Sequence, residues 1–124
     1  MSLSEELPLY KDSYSLFLMV VESVKSYPRF YRYTLGEKMV TLNMEMLSLI
    51  YKANSSYEKA AVIADFLDKY RMLVMLFRVI VEQHIITERQ YARYAFLLQK
   101  VGKQATSWKQ YSEKKRDERV GNSK

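Results

Sequence analysis

Cysteine is absent from the 124 residues, which excludes a disulfide framework, a thiol nucleophile and a thiolate metal site and fits a reducing compartment. Histidine occurs once, as His84, so hydrolase arrangements that need an imidazole base beside a nucleophile have little to assemble from. A di-iron site in a helical bundle requires Glu-x-x-His pairs on two helices, whereas Glu82 stands two residues before His84 and no second histidine exists. The chain is therefore read as non-enzymatic, with no catalytic residue, no metal and no cofactor, and His84 as a structural residue near a helix C-terminus, where its partial charge is tolerated. Prolines number two and glycines three, too few to break the chain often. The longest apolar runs, Leu16 to Val21 and Met72 to Val81 with Arg78 inside it, fall short of the roughly 20 residues of a membrane span. Glu5 and Glu6 stand where a secretory signal needs positive charge. A soluble, cytoplasmic protein is expected.

Hydrophobic residues make up 48% of the chain, enough for the single core of one domain. Their spacing predicts four amphipathic helices. The first runs from about residue 9 to 26 on a seam of Tyr10, Tyr14, Phe17, Val21 and Val24, and Pro28 ends it. The connection over residues 27–33 can begin with a helical turn of its own, since proline suits a first turn. The second helix follows from about residue 35 to 53, with Thr34 as its cap. It carries one seam at Leu35, Met39, Leu42, Met46 and Leu49 and another at Val40, Met44, Leu47 and Tyr51. The third covers about 57 to 84, opened by a capping box of Ser55 and Glu58, on a seam of Ile63, Phe66, Tyr70, Leu73, Phe77, Ile80 and His84. Met72, Met75 and Val79 lie opposite that seam, so its second half is apolar nearly all round and is expected to face another subunit. The fourth begins after Thr87, paired with Gln90 as a capping box and with Ile86 against Tyr91 as a staple; its seam is Tyr91, Tyr94, Leu98, Val101, Ala105 and Trp108. The predicted fold is all-α: an up-down-up-down antiparallel four-helix bundle over residues 1–111, oligomeric, with a charged, disordered tail over 112–124.

Charge is unevenly placed. The net charge is +6, yet residues 1–23 hold four acids and one base, and residues 89–124 hold ten bases and three acids. A polyanion or an acidic protein is the expected partner. On the fourth helix, at about 100° per residue, Arg89, Arg93, Lys100 and Lys103 fall within roughly 80° of one another, opposite the apolar seam. After Glu88 that helix has no acid until the tail, whereas a merely solvated face normally mixes both signs. Guanidinium forks and lysine point charges suit phosphate. A second basic patch comprises Lys25, Arg29, Arg32 and Lys38, interleaved with Phe30, Tyr31 and Tyr33. These aromatics are read as core or interface packing rather than as base-stacking platforms. Arg71 and Arg78 stand one heptad apart, either as interface ion-pair partners or on the inner surface of an oligomer.

Three motifs carry a family resemblance. Tyr27-Pro28-Arg29 followed by Arg32-Tyr33-Thr34-Leu35-Gly36, then Ile86-Thr87-Glu88-Arg89-Gln90-Tyr91, then Gly102 with Trp108 six residues on, resemble the accessory variability determinant proteins of diversity-generating retroelements. Proteins encoded in intervening sequences of bacterial 23S ribosomal RNA genes are related four-helix bundles. The resemblance covers about residues 9 to 111. It implies a non-enzymatic homopentamer whose basic surface binds a reverse transcriptase and its template RNA, or DNA, to support mutagenic copying. By motif position Arg29, Arg32 and Arg89 carry over, and Arg93, Lys100 and Lys103 extend them along the helix. The other reading is a self-assembling scaffold of the intervening-sequence type that binds a protein partner.

Overall fold

The computed structural model describes residues 7–122. Its helices are α1 (Pro8–Lys25), α2 (Arg29–Tyr31), α3 (Glu37–Ser55), α4 (Lys59–Glu82) and α5 (Glu88–Asn122), with a π-helical turn, Arg32–Gly36, joining α2 to α3. Tyr31, Arg32, Gly36 and Glu37 all keep right-handed helical dihedrals, so α2, the π turn and α3 form one rod. Four rods result, each packed on two neighbours: α1 and α4 both lie against α3 and α5. This is the four-helix bundle expected from the sequence.

The rod's early start corrects the sequence reading, which placed a cap at Thr34. Thr34 is inside the helix, and its hydroxyl donates back to the Phe30 carbonyl at 2.6 Å, a bond that relieves the backbone where the π turn interrupts the regular ladder. Gly36 is buried there: a Cβ would lie 2.7 Å from Val24 Cγ1 and 3.0 Å from the Tyr31 carbonyl oxygen. Only glycine lets α1 approach the π turn this closely.

The core is Leu16, Val20, Met39, Met46, Ile50, Ile63, Phe66, Leu73, Phe77, Ile80 and Val101 with their neighbours. In α4 the predicted seam is buried at Ile63, Phe66, Leu73, Phe77 and Ile80. In α1 it is not. Leu9, Ser13, Leu16, Val20, Ser23 and Val24 are buried, and of the predicted seam only Val24 is among them. Two apolar stripes run side by side on α1, and the one containing tyrosines is turned outward because a phenol keeps its hydroxyl near water. The Tyr51 hydroxyl donates to that of Tyr10 at 3.2 Å. Tyr14 and Leu18 of α1 and Met44 and Tyr51 of α3 are exposed, leaving an apolar outer face on these two helices.

His84 is likewise not on the seam. It is exposed, beyond the end of α4, in the left-handed region at φ 60°. Its N–H donates to the Val81 carbonyl and that of Ile85 to the Ile80 carbonyl, both at 3.0 Å, the pair of bonds that closes a helix with a left-handed residue after its cap. The Ser55–Glu58 box is also absent: Ser55 Oγ donates to the carbonyls of Tyr51 and Lys52, and no side chain caps α4. Lys59 Nζ instead donates to the carbonyls of Ala53, Asn54 and Ser56, satisfying the end of α3.

The Thr87 box forms in both directions: the Gln90 N–H donates to Thr87 Oγ1 at 3.0 Å and the Thr87 N–H to Gln90 Oε1 at 2.8 Å. Thr87→Ala is expected to lower stability by about 1 kcal/mol, read as a drop in urea midpoint with unchanged slope. After Tyr111 the helix continues to Asn122, where the sequence reading expected a disordered tail. Lys109–Glu113 and Lys115–Glu118 pair at helical spacing and support those turns.

Candidate nucleic-acid interface

The exposed face of α5 is built by one periodicity. Tyr94, Leu98, Val101 and Ala105 turn inward, so the residues about half a turn away face solvent, and Arg89, Arg93, Lys100 and Lys103 are all exposed. At 1.5 Å per residue, Arg89 to Lys103 spans about 21 Å. Arg89, Arg93 and Lys103 have no ion pair among the described residues. Lys100 does: its Nζ is 3.6 Å from Asp12 Oδ2, an oxygen that also accepts from Gln104 Nε2 at 2.7 Å. The stripe thus holds three free cations and one leashed to α1.

In its middle stands Phe96, 72% exposed, three residues after Arg93 and four before Lys100. It lies far from the buried side of the helix, so it serves no core. The sequence reading missed it. The signal was its spacing, since a residue at i+3 and i−4 from two stripe cations lies on the stripe.

The second patch is assembled by the rod that α2 opens. Arg29 and Arg32 place their guanidinium carbons 5.8 and 5.9 Å from the centre of the Tyr33 ring, and Arg32 Nη2 donates to the Tyr27 carbonyl at 3.3 Å. Phe30 and Tyr33 are exposed and so pack in no core of this chain; of the three aromatics read as core or interface residues, only Tyr31 leans on the core. Tyr27 is buried beneath, and its phenol, which accepts from Ser23 Oγ at 2.9 Å, has its pKa raised chiefly by burial. Lys38 is exposed one turn further on. Leu18 and Glu22 of α1 share a shallow groove with Gln90 and Arg93 of α5, while Asp12 meets Lys100 and Gln104. The two helices therefore run antiparallel, and the Arg29–Arg32 cluster sits at the end of the bundle where Arg89 starts the stripe.

Residues 9–112 match the family described as bAvd-like. The chain belongs to the bAvd-like family. The match spans most of the chain and is the accessory variability determinant type that the three motifs resemble. No curated protein gives a significant match.

In this bAvd-like chain the remaining candidates fall on α4. Arg71 pairs with Asp68 at 3.3 Å and lines, with Lys103, a groove floored by Tyr70 and Gly102. Arg78 is exposed without an ion pair among the described residues. Met72 and Met75 are exposed and Val79 is half-buried. The Tyr70 hydroxyl donates to the Leu98 carbonyl at 2.8 Å, and burial raises its pKa. Gly102 makes room for that ring: a Cβ would lie 2.6 Å from Tyr70 Cζ. Among the described residues no group of three or more acidic, histidine or cysteine side chains could hold a metal ion, and no helix is long and apolar enough to cross a membrane.

Proposed function

We propose that this bAvd-like protein is the non-enzymatic accessory protein of a diversity-generating retroelement, binding single-stranded template RNA and the reverse transcriptase through the basic face of α5 and the Arg29–Arg32 cluster. The observation that carries the reading is Phe96, exposed among Arg89, Arg93, Lys100 and Lys103. Cations that follow a phosphate backbone, combined with an aromatic face on which bases stack, are the features of single-strand binding. Lys38, on the same rod as Arg29 and Arg32, extends that cluster. The protein acts as a homo-oligomer, a pentamer by its resemblance. The apolar outer face at Tyr14, Leu18, Met44 and Tyr51 supports self-association, and Met72, Met75 and Val79 with Arg71 and Arg78 offer a further contact surface.

The test is Phe96→Ala, with binding of fluorescent single-stranded RNA read by anisotropy. Loss of one stacking contact is expected to weaken binding by about 1–3 kcal/mol, roughly 5- to 150-fold, with helicity unchanged because the ring is exposed. Duplex DNA, whose bases are already stacked, should lose far less. Equal affinities of wild type and variant for single-stranded RNA would remove Phe96 from the interface.

A further inference from the structure

We propose a second ligand site on this protein, for a nucleotide phosphate and its base, in the cleft between the start of α4 and the last turns of α5. This cleft, of about 320 Å³, shares no residue with the α5 stripe and is lined by Tyr57, Glu58, Tyr111, Ser112, Arg116 and Arg119 among others; Lys115, Arg116 and Arg119 lie beyond the segment matched by the family.

Three features converge on phosphate. First, α4 begins here without a side-chain cap, and Glu58, Lys59 and Ala60 line the cleft; the Glu58 N–H is taken by Ser56 Oγ at 3.0 Å, but the amides of Lys59 and Ala60, at the positive end of a 24-residue helix, attract an anion. Second, Lys115, Arg116 and Arg119 of α5 line the opposite wall. Lys115 pairs with Glu118 at 3.6 Å and Arg116 with Asp117 at 3.7 Å, but these pairs are exposed, and such contacts are readily exchanged for a phosphate oxygen. Third, Ser112, only 8% exposed, lines the cleft, and its Oγ has no hydrogen-bond partner among the described residues. That Oγ is closed off from solvent in the structure, and a rotamer change of Ser112 would bring it to a ligand in the cleft.

Two features converge on a base. Tyr57 is 85% exposed on the turn between α3 and α4, where it supports no core, and Tyr111 is exposed beside it. Both rings already carry a cation: Arg119 lies 5.3 Å from the Tyr57 ring centre and Lys115 lies 5.6 Å from that of Tyr111. A planar base can slide onto either ring while the displaced cation turns to the phosphate. Glu58, the one acid of the lining, opposes the phosphate and offers an acceptor to an exocyclic amine. Lys59 is not free for the ligand, being held by the three carbonyls at the end of α3.

The chemistry is shared by a free nucleotide and by one unit of a strand. The experiment is calorimetric titration of the full chain with AMP, adenosine, inorganic phosphate and a short oligoadenylate. AMP is expected to bind, with adenosine and phosphate each at least about tenfold weaker because neither fills both halves of the cleft. Tyr57→Ala and Arg119→Gln, both at exposed positions, should each weaken AMP binding about fivefold or more with helicity intact. Charge reversal of the α5 stripe should leave AMP binding unchanged, which separates this site from the RNA face proposed above. In that reversed variant, oligoadenylate binding tighter than AMP assigns the cleft to a strand, and the opposite order assigns it to a free nucleotide. Absence of AMP binding in the millimolar range, AMP affinity indifferent to both substitutions, or phosphate alone binding as well as AMP would overturn the proposal.

Discussion

Gly102→Leu is expected to destabilise the bundle by about 2–4 kcal/mol, combining the clash with the Tyr70 ring and loss of its part-buried hydrogen bond. The obstruction is one side chain: a Cβ would meet the Tyr70 hydroxyl and fall 2.6 Å from Cζ and 3.0 Å from Cε2, and the ring is held by its bond to the Leu98 carbonyl. Leucine must displace Tyr70 or separate α4 from α5. Urea unfolding read by circular dichroism measures the loss. The cause is isolated by a double-mutant cycle: Gly102→Ala should be strongly unfavourable with Tyr70 present and nearly neutral in a Tyr70→Ala background, since the obstructing ring is then gone. Equal losses in both backgrounds would show that Gly102 is not a seat for Tyr70.

Reversing the stripe, with Arg89, Arg93, Lys100 and Lys103 all changed to Glu, is expected to reduce affinity for single-stranded RNA by roughly a thousandfold or more. The figure corresponds to about 4 kcal/mol for the loss of up to four charge-assisted phosphate contacts, before repulsion by the new carboxylates is added. All four side chains are exposed, so the helix should persist. Lys100→Glu alone places a carboxylate beside Asp12, the acid it now faces at 3.6 Å, so Lys100→Ala serves as its control. Retained helicity with lost binding locates the interface on α5; retained binding at wild-type affinity removes the stripe from function.

How far the fold could be read in advance depended on which signals were local. The α5 start was legible because its capping box is complete within four residues and needs no tertiary contact. The α4 seam was legible because large aliphatic and aromatic residues recur there at strict spacing. The α1 seam was misread because tyrosines count as apolar in a periodicity yet settle at the surface, and the true seam contains two serines. The π turn and the early start of its rod depend on Gly36 meeting Val24, a contact between two helices that spacing within one of them does not reveal. His84 was assigned to the seam because the pattern continued, while the chain had already left the helix. The terminal turns of α5 read as disorder by composition, although their charges pair at helical spacing.

The candidate interface divided in the same way. The exposure of the basic stripe needs only one helix and was legible from spacing, whereas the pairing of Lys100 with Asp12 depends on α1 packing beside it. Phe96 adds nothing to the apolar period of α5, because it stands on the polar face and joins no core. Arg71 required the fold: only packing of α4 on α5 brings it to the groove that Lys103 lines.

The central claim, that the free cations of α5 bind the phosphates of a single strand, is tested most directly by measuring wild-type affinity for single-stranded RNA across a range of salt concentrations. With three to four phosphate contacts, log affinity should fall against log salt with a slope of about −2 to −3. A slope near zero, or no binding at physiological salt, would contradict the claim.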